Sequence, residues 1–154
     1  MKPADFAAGQ PVFDPTKFFT GHTRSSGVIE NRGGAPTQRV TTETWGVWDG
    51  NSLQLEQDLA FSDGRRTHRS WRMQRLDAHR FTATANDVVG TVRGEAYGNV
   101  FYWSFTLKSD NPFGRMRMSQ WMYLQPDGHT MINHSTIRKA GIVVAQVSEQ
   151  FSQQ

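Results

Sequence analysis

The feature that most constrains the fold of this chain is a two-residue apolar period between closely spaced turn signals. In three segments, apolar side chains recur at every second position, with Gln57 and Gln120 as the two exceptions. These positions are Leu53, Leu55, Leu59 and Phe61; Phe101, Trp103, Phe105 and Leu107; and Met116, Met118, Met122 and Leu124. Because side chains of a β-strand alternate between its two faces, the pattern predicts strands with one buried and one solvated face.

Turn-forming residues divide the chain into short segments, about 8–14 residues apart. They include Trp48-Asp49-Gly50-Asn51, Ser62-Asp63-Gly64-Arg65, Asn86-Asp87, Tyr97-Gly98-Asn99, Asp110-Asn111-Pro112-Phe113-Gly114, Pro126-Asp127-Gly128 and Lys139-Ala140-Gly141. Asp-Gly supplies the positive φ that tight hairpins require. We therefore expect about nine or ten strands, beginning near residues 24, 38, 52, 65, 79, 88, 100, 115, 129 and 142.

A sheet of this many one-sided strands must close or fold over, because no segment predicts a helix long enough to cover it. Only Asp14–Phe19 predicts a short helical turn, with Asp14 as N-cap and Pro15 as first helical residue. Sequential hairpins favour an up-and-down barrel over a sandwich. We expect an all-β, closed antiparallel, lipocalin-like barrel over residues 16–154, preceded by an N-terminal lead-in over residues 1–15.

Composition excludes several classes of function. The chain has no cysteine, which rules out disulfides, thiolate metal sites and cysteine nucleophiles. It shows neither a signal peptide nor a span of about 20 apolar residues, so we expect a cytoplasmic protein, or an envelope protein if a leader is removed. The net charge of +3 is small and spread along the chain, which suggests an acidic ligand at most.

Several short motifs occur in a characteristic order between residues 16 and 151. They are Phe18-Phe19-x-Gly21, Ser26-Gly27, Trp48-Asp49-Gly50, Phe61-Ser62-Asp63-Gly64, Arg69-x-Trp71, Asn86-Asp87-Val88-Val89-Gly90, Gly98-Asn99, Trp121-Met122 and Ile132-Asn133. As a set they resemble a bacterial family catalogued as domain of unknown function 3833. The resemblance implies a lipocalin-like barrel and, from the lipid-modification genes beside those of its members, a lipid-like ligand. The Gly-x-Trp signature of true lipocalins is absent, so the kinship to lipocalins is architectural.

The strand after Gly64 carries an unusual concentration of arginines. Parity places Arg69, Trp71 and Met73 on the face that points into the barrel. A lone charge is costly there, so Arg69 must meet a carboxylate. One possibility is an internal partner: Asp63, Asp87 or Glu95. The other is the carboxylate of a ligand, which the planar guanidinium binds through two parallel bonds.

These observations lead to the hypothesis of a binding protein that holds an apolar acyl-chain ligand. A fatty-acid head group would lie at Arg69 and Trp71, and its tail would follow Phe101, Trp103 and Phe105. Asp87 is either a turn residue or a carboxylate at the barrel mouth. The candidate ligand-binding residues are Arg69, Trp71, Asp87, Phe101, Trp103, Phe105 and Asn133; the sequence indicates no catalytic residue.

Four other functions compete with this one. An enzyme of lipid modification could use the same cavity, and a barrel without a pocket could serve as a protein partner. A haem-binding barrel needs one axial histidine, for which His134 is the candidate. Nucleic-acid binding is not expected, because the arginines are divided between two faces of their strand. The histidines lack the spacing of a zinc site, so we expect neither a metal nor another cofactor.

Overall fold

Ten antiparallel strands follow one another around a closed barrel in the computed structural model, which describes residues 1–109 and 114–154. The strands are β1 (Gly21–Asn31), β2 (Pro36–Trp48), β3 (Ser52–Phe61), β4 (Arg66–Arg75), β5 (Arg80–Ala85), β6 (Val92–Tyr97), β7 (Val100–Thr106), β8 (Arg117–Leu124), β9 (Thr130–Lys139) and β10 (Ile142–Gln153). Each strand pairs with the next, and β1 pairs with β10 to close the barrel. The predicted up-and-down barrel is confirmed.

The strands begin close to where the turn signals place them, with the largest difference at β6. A strand was expected near residue 88, but β6 begins at Val92. Asn86 and Asp87 form a turn, and Val88 makes only an isolated bridge with Leu107. The two adjacent valines therefore resemble the start of a strand but form only this isolated bridge after the turn. The signal at Asp110-Asn111-Pro112-Phe113 lies outside the described residues.

The predicted helical turn is present as α1 (Pro15–Phe18), preceded by the 3₁₀ turn Pro3–Phe6. The Asp14 carboxylate accepts a hydrogen bond from the Thr16 amide at 3.0 Å, which caps the first turn. Phe18 and the following Phe19 are buried among the ends of the strands, and the Phe19 ring lies 5.9 Å from that of Phe151 on β10. The helical turn thus covers the end of the barrel where β1 starts and β10 finishes.

The interior follows the two-residue period. Buried positions alternate with exposed or half-buried ones along the middle of β4, β7, β8 and β9. Leu53, Leu55, Phe101 and Leu107 are among the most buried apolar residues. Gln120, an exception in the apolar pattern, is also buried. Among the described residues, no helix is long and apolar enough to cross a membrane.

Candidate functional site

A cavity of about 60 Å³ lies inside the barrel. Its lining has an aromatic and aliphatic part, including Trp71, Trp103, Phe101, Met73 and Met122, and a polar part formed by Thr42, Gln57, Arg69, Gln120, Asn133 and Glu149. A water needs about 15 Å³ of such space, so the cavity has room for about four waters. Drug-sized ligands occupy about 300–1,000 Å³, so any ligand of that size has to displace lining side chains.

Two stacked tryptophans form one wall of the cavity. The rings of Trp71 on β4 and Trp103 on β7 lie 4.6 Å apart with an interplanar angle of 22°. Trp71 donates its indole N–H to Gln57 at 3.0 Å, and Trp103 donates to Gln120 at 2.7 Å. Since both polar edges are satisfied and both rings are stacked, this wall is a fixed apolar surface.

Two phenylalanines support the tryptophan pair. Phe105 packs edge-on against Trp71 and Trp103, with ring centroids 5.4 and 5.8 Å away, although it does not line the cavity. Phe101 lies 5.2 Å from Trp103 and does line it. The Phe101 ring fits because Gly94 on the neighbouring strand has no side chain: a Cβ at Gly94 would lie 2.5 Å from Phe101 Cζ.

The charged part of the site is an ion pair between Arg69 and Asp87. Arg69 Nε donates to both oxygens of Asp87, at 2.8 and 2.9 Å, and the side chains are only 11% and 17% exposed. Of the internal carboxylates expected from the sequence, the partner is therefore Asp87. Asp63 instead pairs with Arg65 on a surface turn, and Glu95 is exposed on β6. Arg69 Nη1 and Nη2 have no protein acceptor among the described residues, so they remain available to a ligand.

Glu149 adds a second carboxyl group to the cavity. It lies on β10 between the inward-facing Val147 and Phe151. Ser25 Oγ donates to Glu149 Oε2 at 3.2 Å, and Asn133 Nδ2 donates to Oε1 at 3.3 Å. Burial raises the pKa of Glu149, and these two hydrogen bonds and the charge of Arg69 oppose the rise.

A glycine on the neighbouring strand makes room for Glu149. Gly27 pairs with Glu149 across the β1–β10 ladder. A Cβ at Gly27 would lie 2.6 Å from Glu149 Cγ and 2.4 Å from the carbonyl oxygen of Ser148. The Ser26-Gly27 motif of the sequence therefore has a local structural reason, since any larger residue at position 27 would displace the Glu149 side chain.

The structure brings most of the sequence-predicted site residues together. Arg69, Trp71, Phe101, Trp103 and Asn133 line the cavity, while Asp87 contacts it through Arg69 and Phe105 lies behind the tryptophans. Sequence reasoning missed Gln57, Gln120 and Glu149. All three carried a usable signal, because each is a polar residue at an apolar parity position of its strand.

His134, the candidate axial ligand of the haem alternative, does not face the cavity. His134 lies on the outer face of β9, opposite the buried Asn133 in the strand alternation, and its Nδ1 is 3.5 Å from Ser148 Oγ. The cavity lining that the structure describes includes no imidazole. Within residues 1–109 and 114–154, no three acidic or histidine side chains are grouped as metal ligands would be.

Comparison with known proteins identifies relatives of the chain and of its fold. A family model described as "Protein of unknown function (DUF3833)" matches residues 1–153. No curated protein matches the chain. The S-type phycobiliprotein lyase CPES from Guillardia theta is similar in structure, with a TM-score of 0.65 and 8% identity over 90% of each chain.

Two chromophore-bound barrels are more distant in structure. EF1p2_mFAP2b bound to DFHBI has a TM-score of 0.48 and 8% identity, covering 98% of this chain and 99% of its own. The redesigned barrel mFAP1 bound to DFHBI has a TM-score of 0.46 and 10% identity, covering 90% and 97%. At these identities the likeness to the lyase shows a shared lipocalin-like barrel fold.

Proposed function

This chain belongs to the family described as Protein of unknown function (DUF3833), and we propose that it is a binding protein whose barrel holds an acyl-chain ligand with an oxygen-bearing head group. The observation that carries the proposal is the two-sided lining of the cavity. One side is the Trp71–Trp103 wall, and the other includes Arg69, of which only Nε has a hydrogen-bond partner among the described residues. An apolar body against the wall and an acceptor at the guanidinium would satisfy both sides at once.

The ion pair with Asp87 is compatible with a ligand at Arg69. Asp87 occupies only the Nε edge of the guanidinium, at 2.8 and 2.9 Å. The two terminal nitrogens have no hydrogen-bond partner among the described residues, so a ligand carboxylate or carbonyl oxygen can bind them while the pair stays intact. The internal partner and the ligand partner that the sequence offered as alternatives for Arg69 are therefore not exclusive.

The small volume of the cavity favours a thin, flexible ligand. The 60 Å³ of open space must grow before any acyl chain fits. Met73 and Met122 border it, and methionine side chains repack readily because they are unbranched and flexible. A single chain can enter by moving such side chains one at a time, whereas a rigid macrocycle such as haem would require many lining side chains to move together.

A second candidate is an enzyme that modifies a lipid in the same cavity. The buried carboxyl group of Glu149 is the observation in its favour, because a carboxyl with a raised pKa can act as a general acid. Mass spectrometry of the ligand after incubation separates the two functions. A binding protein returns the ligand unchanged, and an enzyme yields a product.

Titration of decanoate into the protein tests the proposal directly. Saturable quenching or enhancement of tryptophan fluorescence is expected, because Trp71 and Trp103 line the cavity. Acetate, which has the same head group without the chain, should give no change at the same concentrations. A protein whose fluorescence is indifferent to decanoate, decanol and decylamine alike would contradict the proposal.

Variants at the ion pair test the role of Arg69. Arg69→Ala alone strands the Asp87 carboxylate and should cost about 3–5 kcal/mol of folding free energy, so it cannot report on binding. The double variant Arg69→Gln/Asp87→Asn removes both charges and should fold. We expect it to bind decanoate more weakly by about 1.5–3 kcal/mol, the worth of a hydrogen bond to a charged group.

Arg72→Gln is the matched control, because Arg72 lies on the outer face of the same strand and is exposed. It should bind decanoate as the wild type does. Equal affinity of the wild type and the double variant would show that Arg69 does not contact the head group.

A further inference from the structure

We propose that Glu149 is the second head-group residue of this cavity and that it binds as a neutral acid, so that the barrel takes up a carboxylic acid ligand together with one proton. This inference rests on the proposed function and specifies its ligand class. The carboxylate of the ligand would lie between Arg69 Nη1 and Nη2 on one side and the acid O–H of Glu149 on the other. Both residues line the same cavity.

The two hydrogen bonds that Glu149 accepts are long, as a neutral carboxyl group allows. Its contacts with Ser25 and Asn133 are 3.2 and 3.3 Å long. The charge-assisted bond of the buried Arg69–Asp87 pair is shorter, at 2.8 Å, within the range of about 2.5–2.9 Å typical of bonds to an ionised carboxylate. Ser25 Oγ can also accept a hydrogen bond from the O–H of the acid form, because a hydroxyl both donates and accepts hydrogen bonds.

The charged groups around Glu149 also favour its neutral, protonated form. On the flanking strands its inward-facing neighbours are Ser25 and Gly27 of β1 and Asn133 and Ser135 of β9, none of which titrates. Arg24 and His134, the titratable residues nearest on those strands, lie on the outer face.

Across the barrel, the charged group that acts on Glu149 is Arg69, and Asp87 already neutralises it. An ionised Glu149 would therefore leave one uncompensated negative charge in the interior. Burial accordingly raises the pKa of Glu149.

This arrangement selects among head groups. A neutral Glu149 donates a hydrogen bond to a ligand carboxylate, which adds to the attraction of Arg69. An ionised Glu149 would repel the same ligand at close range. Because binding then requires the protonated form, the affinity for a carboxylate should fall as the pH rises through the pKa of Glu149, by about tenfold per pH unit at the limit.

Three ligands of equal chain length test this inference: decanoate, 1-decanol and decylamine, titrated from pH 6 to pH 9 into the wild type and Glu149→Gln. For the wild type we expect decanoate affinity to decrease with pH and 1-decanol affinity to stay constant. Glutamine is a neutral donor of the same shape, so decanoate binding to Glu149→Gln should not vary with pH. Glu95→Gln, a change of an exposed glutamate on β6, should behave as the wild type.

Proton uptake gives an independent reading that needs no variant. Calorimetry of decanoate binding to the wild type in two buffers of different ionisation enthalpy should show close to one proton bound at the upper end of the pH range. Decanoate binding without proton uptake, or with the same pH dependence in the wild type and Glu149→Gln, would overturn the inference and leave the proposed function standing.

Decylamine distinguishes the remaining cases. If decylamine binds more tightly as the pH rises and decanoate does not bind, Glu149 is ionised and selects cations. This result would overturn the inference about Glu149 but would still support a cavity for an acyl chain. Failure of all three ligands to bind would overturn the proposed function along with it.

Discussion

At the scale of single residues, the barrel interior carries polar groups that are mostly held by a defined partner. Gln57 and Gln120 each accept an indole N–H, and Arg69 is held by Asp87. Among the described residues, Thr23 Oγ1 and Gln38 Oε1 are buried without a partner. An unpaired buried polar group costs about 1–3 kcal/mol, so the pairing of the larger polar side chains keeps the cost of this mixed interior low.

Gly46 provides a prediction at this scale. It faces inward on β2, where a Cβ would lie 1.8 Å from the carbonyl oxygen of Phe19 and 2.9 Å from Leu55 Cδ2. Because the first of these atoms is backbone, Gly46→Ala must push away the chain after α1. We expect a loss of about 1–3 kcal/mol in the free energy of unfolding, measured by urea denaturation.

The neighbouring Val47 supplies the control for Gly46. Its side chain points outward and is 68% exposed. Val47→Ala should change the free energy of unfolding by less than about 0.5 kcal/mol. Equal stability of the two variants would show that Phe19 does not pack on Gly46 in solution.

At the scale of elements, the outer face of the β3–β4 hairpin is held by a cluster of side chains around His68. Its Nδ1 lies 2.6 Å from Asp58, and its Nε2 lies 2.6 Å from Glu56. Ser70 Oγ donates to the same Glu56 oxygen at 2.5 Å. Hydrogen bonds to Asp58 and Glu56 raise the pKa of His68 above 6.5, and those from Ser70 and His68 lower the pKa of Glu56 below 4.5.

The raised pKa of His68 predicts a pH dependence of stability. A histidine whose pKa is higher in the folded state stabilises the fold at pH values below its unfolded pKa, and this contribution is lost as the pH rises through the folded pKa. For Glu56 the sign is reversed, and its contribution is lost on acidification below 4.5. The cluster should therefore stabilise the hairpin most between about pH 4.5 and 6.5, with a small effect because its members are exposed.

NMR titration of the His68 ring measures this directly. The midpoint should lie above 6.5 in the wild type and move down in Glu56→Gln, which removes one of the two carboxylates. His129→Gln, on the β8–β9 hairpin, should leave the titration of His68 unchanged. A wild-type midpoint at or below 6.5 would contradict the contacts described for the cluster.

At the scale of the whole molecule, stability depends on the closure of the barrel by its two terminal strands. β1 pairs with β10 from Thr23–Gln153 to Asn31–Ala145. Because these strands are far apart in sequence, closure carries a large entropic cost, but it leaves no edge strand with unpaired backbone groups. The same closure brings Ser25 to Glu149 and so completes the polar side of the cavity.

Hydrogen exchange tests the closure. Amides of β1 and β10 that are hydrogen-bonded across this seam should exchange as slowly as those of β7 and β8, because both pairs of strands belong to one continuous, closed sheet. The turn amides at Asp63 and Gly64 supply the fast reference. Fast exchange confined to β1 and β10 would mean that the barrel is open at this seam.

Much of the fold could be predicted because its determinants are local. The alternation of Phe101, Trp103 and Phe105 and the Asp-Gly turns each act within one strand or one hairpin. The start of β6 could not be predicted in this way, since Val88 and Val89 have strand-forming side chains but contribute only the isolated bridge of Val88 with Leu107 after the turn at Asn86-Asp87. Here the turn preference of Asn86-Asp87 overrides the strand propensity of the valines.

The partner of Arg69 shows where local reasoning stops. Asp63, Asp87 and Glu95 were equivalent candidates by sequence, and the register decided between them. Trp71 pairs with Ala85 at the end of the β4–β5 ladder, so Asp87 lies opposite Arg69 two residues further on. Register depends on the length of the connecting turn and on the packing of both strands, which no single segment specifies.

The sequence by itself determined the barrel class and the inward orientation of Arg69, Trp71 and Trp103, because side-chain parity is a property of one strand. Tertiary structure alone decided the size of the cavity and the place of Glu149 within it. Both depend on which strands meet when the sheet closes: Trp71 and Trp103 stack from β4 and β7, and Glu149 meets Ser25 only across the β1–β10 seam. Contacts between strands distant in sequence follow from closure of the whole sheet, which the local pattern allows but does not specify.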